Sequence, residues 1–210
     1  MEAVGRRQRK RPTVNGAQLL ALLRSGRRVR TLGIDDGPFD RGQRSNVLVV
    51  GAVYSAGDFE GLLTTHVRGD GRDATGKLIQ MIAGSKFQAQ LHFVMLDGIT
   101  LGGFNVVDLP GLAEGVALPC AAVMRRQPDR AAVDQALDHL PASARRRQVM
   151  DRAGPIHRAG RISFQVAGVE VEVARAVILG SLRHGHVPEC LRAAHLIARG
   201  VVTGESGHRA

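Results

Sequence analysis

Runs of apolar residues bounded by Gly, Pro and Asp recur along the first two thirds of the chain and predict buried strands. The runs cover about 29–34, 46–53, 61–67, 92–96 and 119–124, and a later alternating run covers 161–166. The loop between the first two runs contains Gly37, Pro38 and Gly42. We therefore expect the first three strands to form an antiparallel meander.

Other segments carry the apolar spacing of helices. They cover about 14–24, 75–82, 106–115, 130–140, 143–152, 169–182 and 188–202. We expect Asp73 or Thr75 to cap the second of these helices, and Arg145, Arg146 and Arg147 to be exposed on the fifth. The simplest organisation is one α/β domain over 29–210, with a mixed sheet flanked by helices, after a basic and partly disordered extension over 1–28.

Aspartates gather where the predicted strands stop. Asp35 and Asp36 end the first strand, Asp70 and Asp73 follow the third, and Asp97 ends the fourth. Carboxylates crowded together repel one another and are costly to desolvate, unless a divalent cation binds them. If the first and fourth strands are parallel neighbours, Asp35 and Asp97 meet at their carboxyl ends, as is typical of a ribonuclease H-like domain. The pattern predicts a Mg²⁺ site that would also accept Mn²⁺, although each Asp by itself is equally compatible with a turn.

The charge of the chain narrows the choice of partner. A net charge of +10 and a pI of about 11.2 favour a polyanion, although an arginine-favouring genome would explain part of the excess. The basic tail over 1–13 is either a solubilising arm or a phosphate contact. The sequence shows no secretion signal and no run of transmembrane length. We expect a cytoplasmic protein, a monomer or weak dimer, that binds nucleic acid and not membranes.

Two further features are candidates for a nucleic-acid site. His195 lies on the last predicted helix with Arg192 one turn earlier, and a His and an Arg on one face suit a phosphate, although a core histidine is the simpler interpretation of His195 alone. Gly102 and Gly103 predict either a close approach to a nucleic-acid backbone or a tight turn. Cys120 and Cys190 are far apart, so we expect buried free thiols.

Five segments resemble the endonuclease dU family, which is related to endonuclease V. They are GIDDGPF from 33, VRGDGRDAT from 67, VMLDGITLGGFNVVD from 94, LPCAAVMRRQP from 118 and PECLRAAHLIARGVVTGES from 188. The resemblance covers roughly 29–207. It implies a ribonuclease H-like fold and Mg²⁺-dependent cutting of nucleic acid near deaminated bases.

The resemblance also implies roles for individual residues. Asp35 and Asp97 match the metal-binding aspartates of endonuclease V, and His195 matches its late-helix histidine. Asp70 stands where endonuclease V has Glu, with Asp73 as the other candidate for that ligand. Arg125 stands where endonuclease V has Lys, so the charge is kept but the side chain cannot act as a general acid. With Asp36, Arg192, Gly102 and Gly103, Arg125 completes the expected nucleic-acid contacts.

The sequence therefore predicts a metal-dependent endonuclease acting on DNA, in which Asp35, Asp70, Asp97 and His195 are catalytic. The alternative is a nucleic-acid-binding protein of the same fold with little or no cleavage activity. A small-molecule hydrolase is disfavoured because the chain has neither a nucleophile-elbow motif nor a phosphate-binding Gly-rich loop with Lys. Whether the substrate is DNA or RNA stays open at this point.

Overall fold

A computed structural model of the protein describes residues 14–40 and 46–207, so the basic tail over 1–13 lies outside the described residues. The helices of the described part are α1 (Gly16–Arg24), α2 (Ala74–Ala83), α3 (Leu109–Val116), α4 (Arg130–Asp138), α5 (Ser143–Arg152), α6 (Val171–Gly180) and α7 (Glu189–Thr203). Its strands are β1 (Arg30–Asp36), β2 (Asn46–Ser55), β3 (Asp58–Arg68), β4 (Phe93–Asp97), β5 (Thr100–Leu101), β6 (Asn105–Val106), β7 (Cys120–Met124), β8 (His157–Ala159) and β9 (Ile162–Ala167).

Seven of these strands form one mixed sheet in the order β3-β2-β1-β4-β7-β9-β8. The predicted meander is confirmed, because β1 and β2 are antiparallel and so are β2 and β3. The predicted parallel pairing of the first and fourth long strands is also confirmed, in β1 and β4. The carboxyl ends of β1, β3 and β4 therefore lie at the same edge of the sheet.

The two faces of the sheet bury different side chains, because successive residues of a strand point to opposite faces. Leu32 and Ile34 of β1 belong to a core shared with α2 and α3. Phe93 and Met95 of β4 belong to a second core shared with α1, α6 and α7. Gly33 and Asp35 alternate with Leu32 and Ile34, so they face α7.

Helix α7 lies unusually close to β1, and glycine makes the approach possible. A Cβ atom on Gly33 would come within 2.3 Å of the carbonyl carbon of Cys190 and 2.5 Å of the amide nitrogen of Leu191. Further along, a Cβ on Gly37 would come within 3.1 Å of the Ala198 carbonyl oxygen. The backbone of α7 therefore packs directly on β1.

The structure corrects several expectations. Arg146 is buried rather than exposed, with 5% of its surface accessible. Asp73 is the N-cap residue of α2, as one of the two expectations had it, but its side chain makes no capping hydrogen bond; the buried side chain of Asn105 accepts the hydrogen bond from the Ala74 amide instead. The short strands β5, β6 and β8 were not predicted, and the helix expected over 106–115 begins only at Leu109 because Asn105–Val106 pairs as a strand.

Both thiols are free and buried, as expected. Burial raises the pKa of the Cys190 thiol to about 11 and that of Cys120 further, so both remain protonated and unreactive at neutral pH. Within the described ranges, none of the helices has the length and apolar character needed to cross a membrane.

The close packing of α7 on β1 predicts that Gly33→Ala destabilises the protein by about 1–3 kcal/mol, because the added methyl meets backbone atoms that cannot move aside. Gly76→Ala is the matched control. Its Cβ would meet nothing within 4 Å, and alanine favours a helix by about 0.5–1 kcal/mol. Urea denaturation of both variants measures the difference; a Gly33→Ala protein as stable as wild type would contradict the packing described.

Candidate metal centre at the carboxyl edge of the sheet

Asp35, Asp97 and His195 come together at the edge of the sheet where β1 and β4 end. Each offers one potential ligand atom, and these atoms all lie within 4.8 Å of one another. Among the residues that the structure describes, this is the one group of at least three such side chains. The structure thus brings together three of the four residues that the sequence predicts to be catalytic.

Strand register explains how two aspartates 62 positions apart meet. Thr31 pairs with Phe93 and Gly33 with Met95 in the parallel ladder, and the same offset places Asp35 beside Asp97. Both side chains point to the face that α7 covers. Because α7 lies directly on Gly33, His195 is within reach of the end of β1, and its Nδ1 is 2.8 Å from Oδ2 of Asp35.

The electrostatics of the cluster show carboxylates under mutual repulsion. Burial, and then the nearby charge of Asp35, raise the pKa of Asp97 to about 6, and Arg125 opposes them from 3.4 Å away. The hydrogen bond with Asp35 is the main cause of a raised pKa at His195. Since an ionised carboxylate only accepts hydrogen bonds, Nδ1 of His195 carries the proton in this contact, and in the neutral ring Nε2 keeps its lone pair.

Asp36 faces the opposite side of the sheet from Asp35, as the alternation of β1 requires. Its Oδ2 accepts a hydrogen bond from the amide of Gly102 at 3.1 Å. Burial, and then the charge of Asp35, raise its pKa to about 6. Asp36 therefore holds the turn of the β5–β6 hairpin against the end of β1.

Asp70 and Asp73 are outside the three-residue cluster, and their carboxylates bind the same hairpin. Oδ1 of Asp70 accepts from the amide of Phe104 at 2.8 Å, and Oδ1 of Asp73 accepts from Nδ2 of Asn105 at 2.7 Å. A Cβ on Gly103 would lie 2.4 Å from Oδ1 of Asp70.

The two glycines of the hairpin form a tight turn. Gly102 and Gly103 have φ angles of 56° and 83°, in the left-handed region that glycine adopts without strain. Of the two interpretations that the sequence left open for them, the described residues display the turn.

Arg146 is an organising residue that the sequence analysis missed. Its guanidinium donates to the carbonyl oxygens of Asp70, Gly71 and Phe104, and so joins the turn after β3 to the hairpin. Burial lowers the pKa of this guanidinium, and the three carbonyl oxygens compensate for the lost hydration. An arginine in a run of three arginines on a polar helix gives no pattern that distinguishes it from its exposed neighbours.

Arg192 is not part of the cluster, although it lies one turn before His195. Its guanidinium pairs with Oε1 of Glu189 in the first turn of α7. Glu189 is itself buried, with 6% of its surface accessible. The expectation that Arg192 contacts nucleic acid remains a prediction.

The donor set suits a hard divalent cation. The two carboxylate oxygens are ligands that Mg²⁺ and Mn²⁺ prefer, and one imidazole nitrogen of His195 lies within 4.8 Å of both. Burial, and then the charge of Asp35, raise the pKa of Asp97 and so disfavour its ionised form, and a bound cation would offset both effects. Asp35 and Asp97 are thus the residues best placed to hold a metal.

This chain is similar in sequence and in structure to known proteins. The sequence model of a family described as endonuclease dU matches residues 27–202. The "UPF0215 protein" of Methanothermobacter thermautotrophicus is 44% identical over 183 residues, which cover 85% of this chain and 90% of that protein. The crystal structure of a protein of unknown function from Archaeoglobus fulgidus has a TM-score of 0.78 at 42% identity, covering 83% of this chain and 98% of the other.

More distant structures share the fold. Human endonuclease V has a TM-score of 0.57 at 14% identity, covering 88% of this chain and 90% of the other. Endonuclease V of Ciona intestinalis, in complex with a 23mer DNA containing an inosine, has a TM-score of 0.56 at 12% identity, covering 85% and 87%. This likeness confirms the predicted ribonuclease H-like mixed sheet flanked by helices.

The burial of Asp97, together with the nearby charge of Asp35, predicts that Asp97→Asn stabilises the metal-free protein by about 1–3 kcal/mol at pH 8. The pKa of Asp97 is higher in the folded than in the unfolded chain, so its ionisation destabilises the fold as pH rises from about 4 to 6 and fully above that range. The same variant should lose the rise in melting temperature that Mg²⁺ or Mn²⁺ gives the wild type.

Asp58→Asn is the control, since it removes an exposed carboxylate outside the cluster. Melting curves in EDTA and in each metal, recorded at the same pH, separate the two effects. A metal-induced rise that persists undiminished in Asp97→Asn would rule out Asp97 as a ligand.

Proposed function

This chain belongs to the endonuclease dU family, and on that premise we propose that it is a metal-dependent endonuclease that hydrolyses phosphodiester bonds in DNA, at or near deaminated bases such as deoxyuridine. The observation that carries the proposal is the convergence of Asp35, Asp97 and His195 at the carboxyl edge of the sheet. The net charge of +10 supports a polyanionic substrate.

The cluster residues have distinct proposed roles. Asp35 and Asp97 would hold Mg²⁺, or Mn²⁺ in its place, which when bound would stabilise the negative charge that develops on the phosphate. The Nδ1–H group of His195 donates a hydrogen bond to Asp35, so Nε2 is free to accept a proton from the attacking water. Arg125, beside Asp97, would neutralise a phosphate oxygen but keeps its own proton.

The residues around the hairpin act by positioning. One carboxylate oxygen of each of Asp36, Asp70 and Asp73 accepts a hydrogen bond from the hairpin, from Gly102, Phe104 and Asn105 respectively. We therefore assign Asp70 and Asp73 to the support of the hairpin beside the cluster, in preference to the direct metal ligation that the sequence suggested for them.

The choice of DNA rests on two supports. The family's name refers to deoxyuridine, and the endonuclease V of Ciona intestinalis was crystallised with a DNA that contains an inosine followed by a ribo-adenosine. Uracil and hypoxanthine are both products of base deamination, so the substrate proposed here is DNA that carries such a base.

A second candidate is a nucleic-acid-binding protein of the same fold that cuts little or not at all. It is favoured by Arg125, which stands where endonuclease V has a lysine and cannot donate its proton to a leaving group. The composition of the cluster favours it as well, because the cluster contains two carboxylates and Asp70 lies outside it.

A nicking assay on labelled duplexes containing uracil, hypoxanthine or no lesion, with matching RNA strands, distinguishes these functions. With Mg²⁺ or Mn²⁺ we expect the wild type to cut a lesion-containing DNA, and Asp35→Asn to abolish cutting. His195→Ala should slow it by roughly 100- to 10,000-fold, the usual effect of losing a general base.

Asp58→Asn serves again as the control and should cut at the wild-type rate. Binding of all duplexes without nicking in any metal would establish the second candidate. Preferential cutting of the RNA strands would leave the metal centre intact but overturn the choice of DNA.

A further inference from the structure

An arginine-lined cleft opens between the start of α2 and the face of α5. It has a volume of about 230 Å³. Its lining consists of four arginines, one aspartate, one threonine and two valines: Arg72, Arg145, Arg146, Arg152, Asp108, Thr75, Val106 and Val149. Four guanidinium groups and a single carboxylate give the cleft a strong positive charge.

Two of the four arginines are already satisfied. Arg152 pairs with Oδ2 of Asp108 at 2.8 Å, and the other oxygen of Asp108 accepts from the amide of Gly111 at the start of α3. The guanidinium of Arg146 donates hydrogen bonds to backbone carbonyl oxygens. The one carboxylate of the cleft is therefore neutralised by Arg152.

The other two arginines, Arg72 and Arg145, are exposed and have no hydrogen-bond or ion-pair partner among the residues described. They share the cleft with the guanidinium of Arg146. Burial lowers the pKa of Arg146, and the nearby charge of Arg72 lowers it further. Like charges held together in one cleft repel, and an anion between them would relieve that repulsion.

The cleft and the metal centre lie at the same edge of the sheet. Strands β1 and β3 are both antiparallel to β2, so β3 ends at the edge where β1 delivers Asp35. Arg72 follows directly in the turn after β3. The β5–β6 hairpin contacts both regions, since the Gly102 amide donates to Asp36, the neighbour of Asp35 in β1, and the Phe104 carbonyl oxygen accepts from Arg146 of the cleft.

We propose that Arg72 and Arg145 bind a backbone phosphate of the nucleic acid, at a position on the strand removed from the phosphate that is cut. A strand seated on the metal centre would cross the hairpin and place this second phosphate in the cleft. A guanidinium group can donate two parallel hydrogen bonds to the oxygens of one phosphate. Such contacts position a strand without reading its bases. The inference rests on the proposed function for its ligand class, a polynucleotide.

The test compares two double variants that remove the same charge. Arg72→Gln with Arg145→Gln empties the cleft of its free charges, whereas Arg24→Gln with Arg158→Gln removes two exposed arginines elsewhere. Binding to labelled single-stranded and duplex DNA is measured in EDTA over a series of salt concentrations. We expect the slope of log affinity against log salt to fall by about 1–2 in the cleft variant, equally for every sequence.

The control variant should keep the wild-type slope, and equal slopes in both variants would overturn the proposal. If the cleft variant does not melt like the wild type, Arg145→Gln alone takes its place with an expected change of about 1. A further arm measures whether pyrophosphate raises the melting temperature. Stabilisation that depends on Arg72 and Arg145 without any change in the DNA slope would overturn the proposal in favour of a site for small anions.

The proposed nuclease activity and the proposed phosphate site can be refuted independently of each other. Because the slopes are measured without metal, the cleft result does not depend on cutting. A wild type that never nicks DNA but loses salt dependence in the cleft variant would refute the nuclease and leave the phosphate site standing.

Discussion

The contact between the backbone of α7 and β1 is the constraint on which the candidate metal centre depends. Any side chain on Gly33 would push against Cys190 and Leu191, so only glycine lets the helix lie this close to the strand. His195 stands one turn further along the same helix and hydrogen-bonds Asp35 two residues further along the same strand. Helix and strand run side by side, and their separation sets the distance between imidazole and carboxylate.

Much of this arrangement could be predicted from the sequence, because it follows from the spacing of apolar residues and from the aspartates that end the strands. Apolar runs marked the long strands, and Asp35 and Asp97 each stood at the end of one. Alternation along β1 would also have separated Asp35 from Asp36, since neighbours in a strand point to opposite faces. The expected roles, with Asp35 as a metal ligand and Asp36 as a nucleic-acid contact, did not depend on that alternation.

The support around the centre could not be predicted in the same way. Asn105 caps α2 from 31 positions away, and Arg146 binds carbonyl oxygens of two loops. Such contacts depend on tertiary geometry and leave no periodic signal in the chain. Asp70 shows the same limit, because its match to a motif rests on its place in the sequence, whereas the hydrogen bond that it accepts from the amide of Phe104 depends on the tertiary fold.

The order of the cluster residues along the chain has a consequence for biosynthesis. Asp35 and Asp97 belong to early strands, whereas His195 belongs to the last helix of the described residues. A chain still emerging from the ribosome can pair β1 with β4 before α7 exists, and it then holds two carboxylates without their imidazole. The complete centre therefore cannot assemble before α7 has been synthesised.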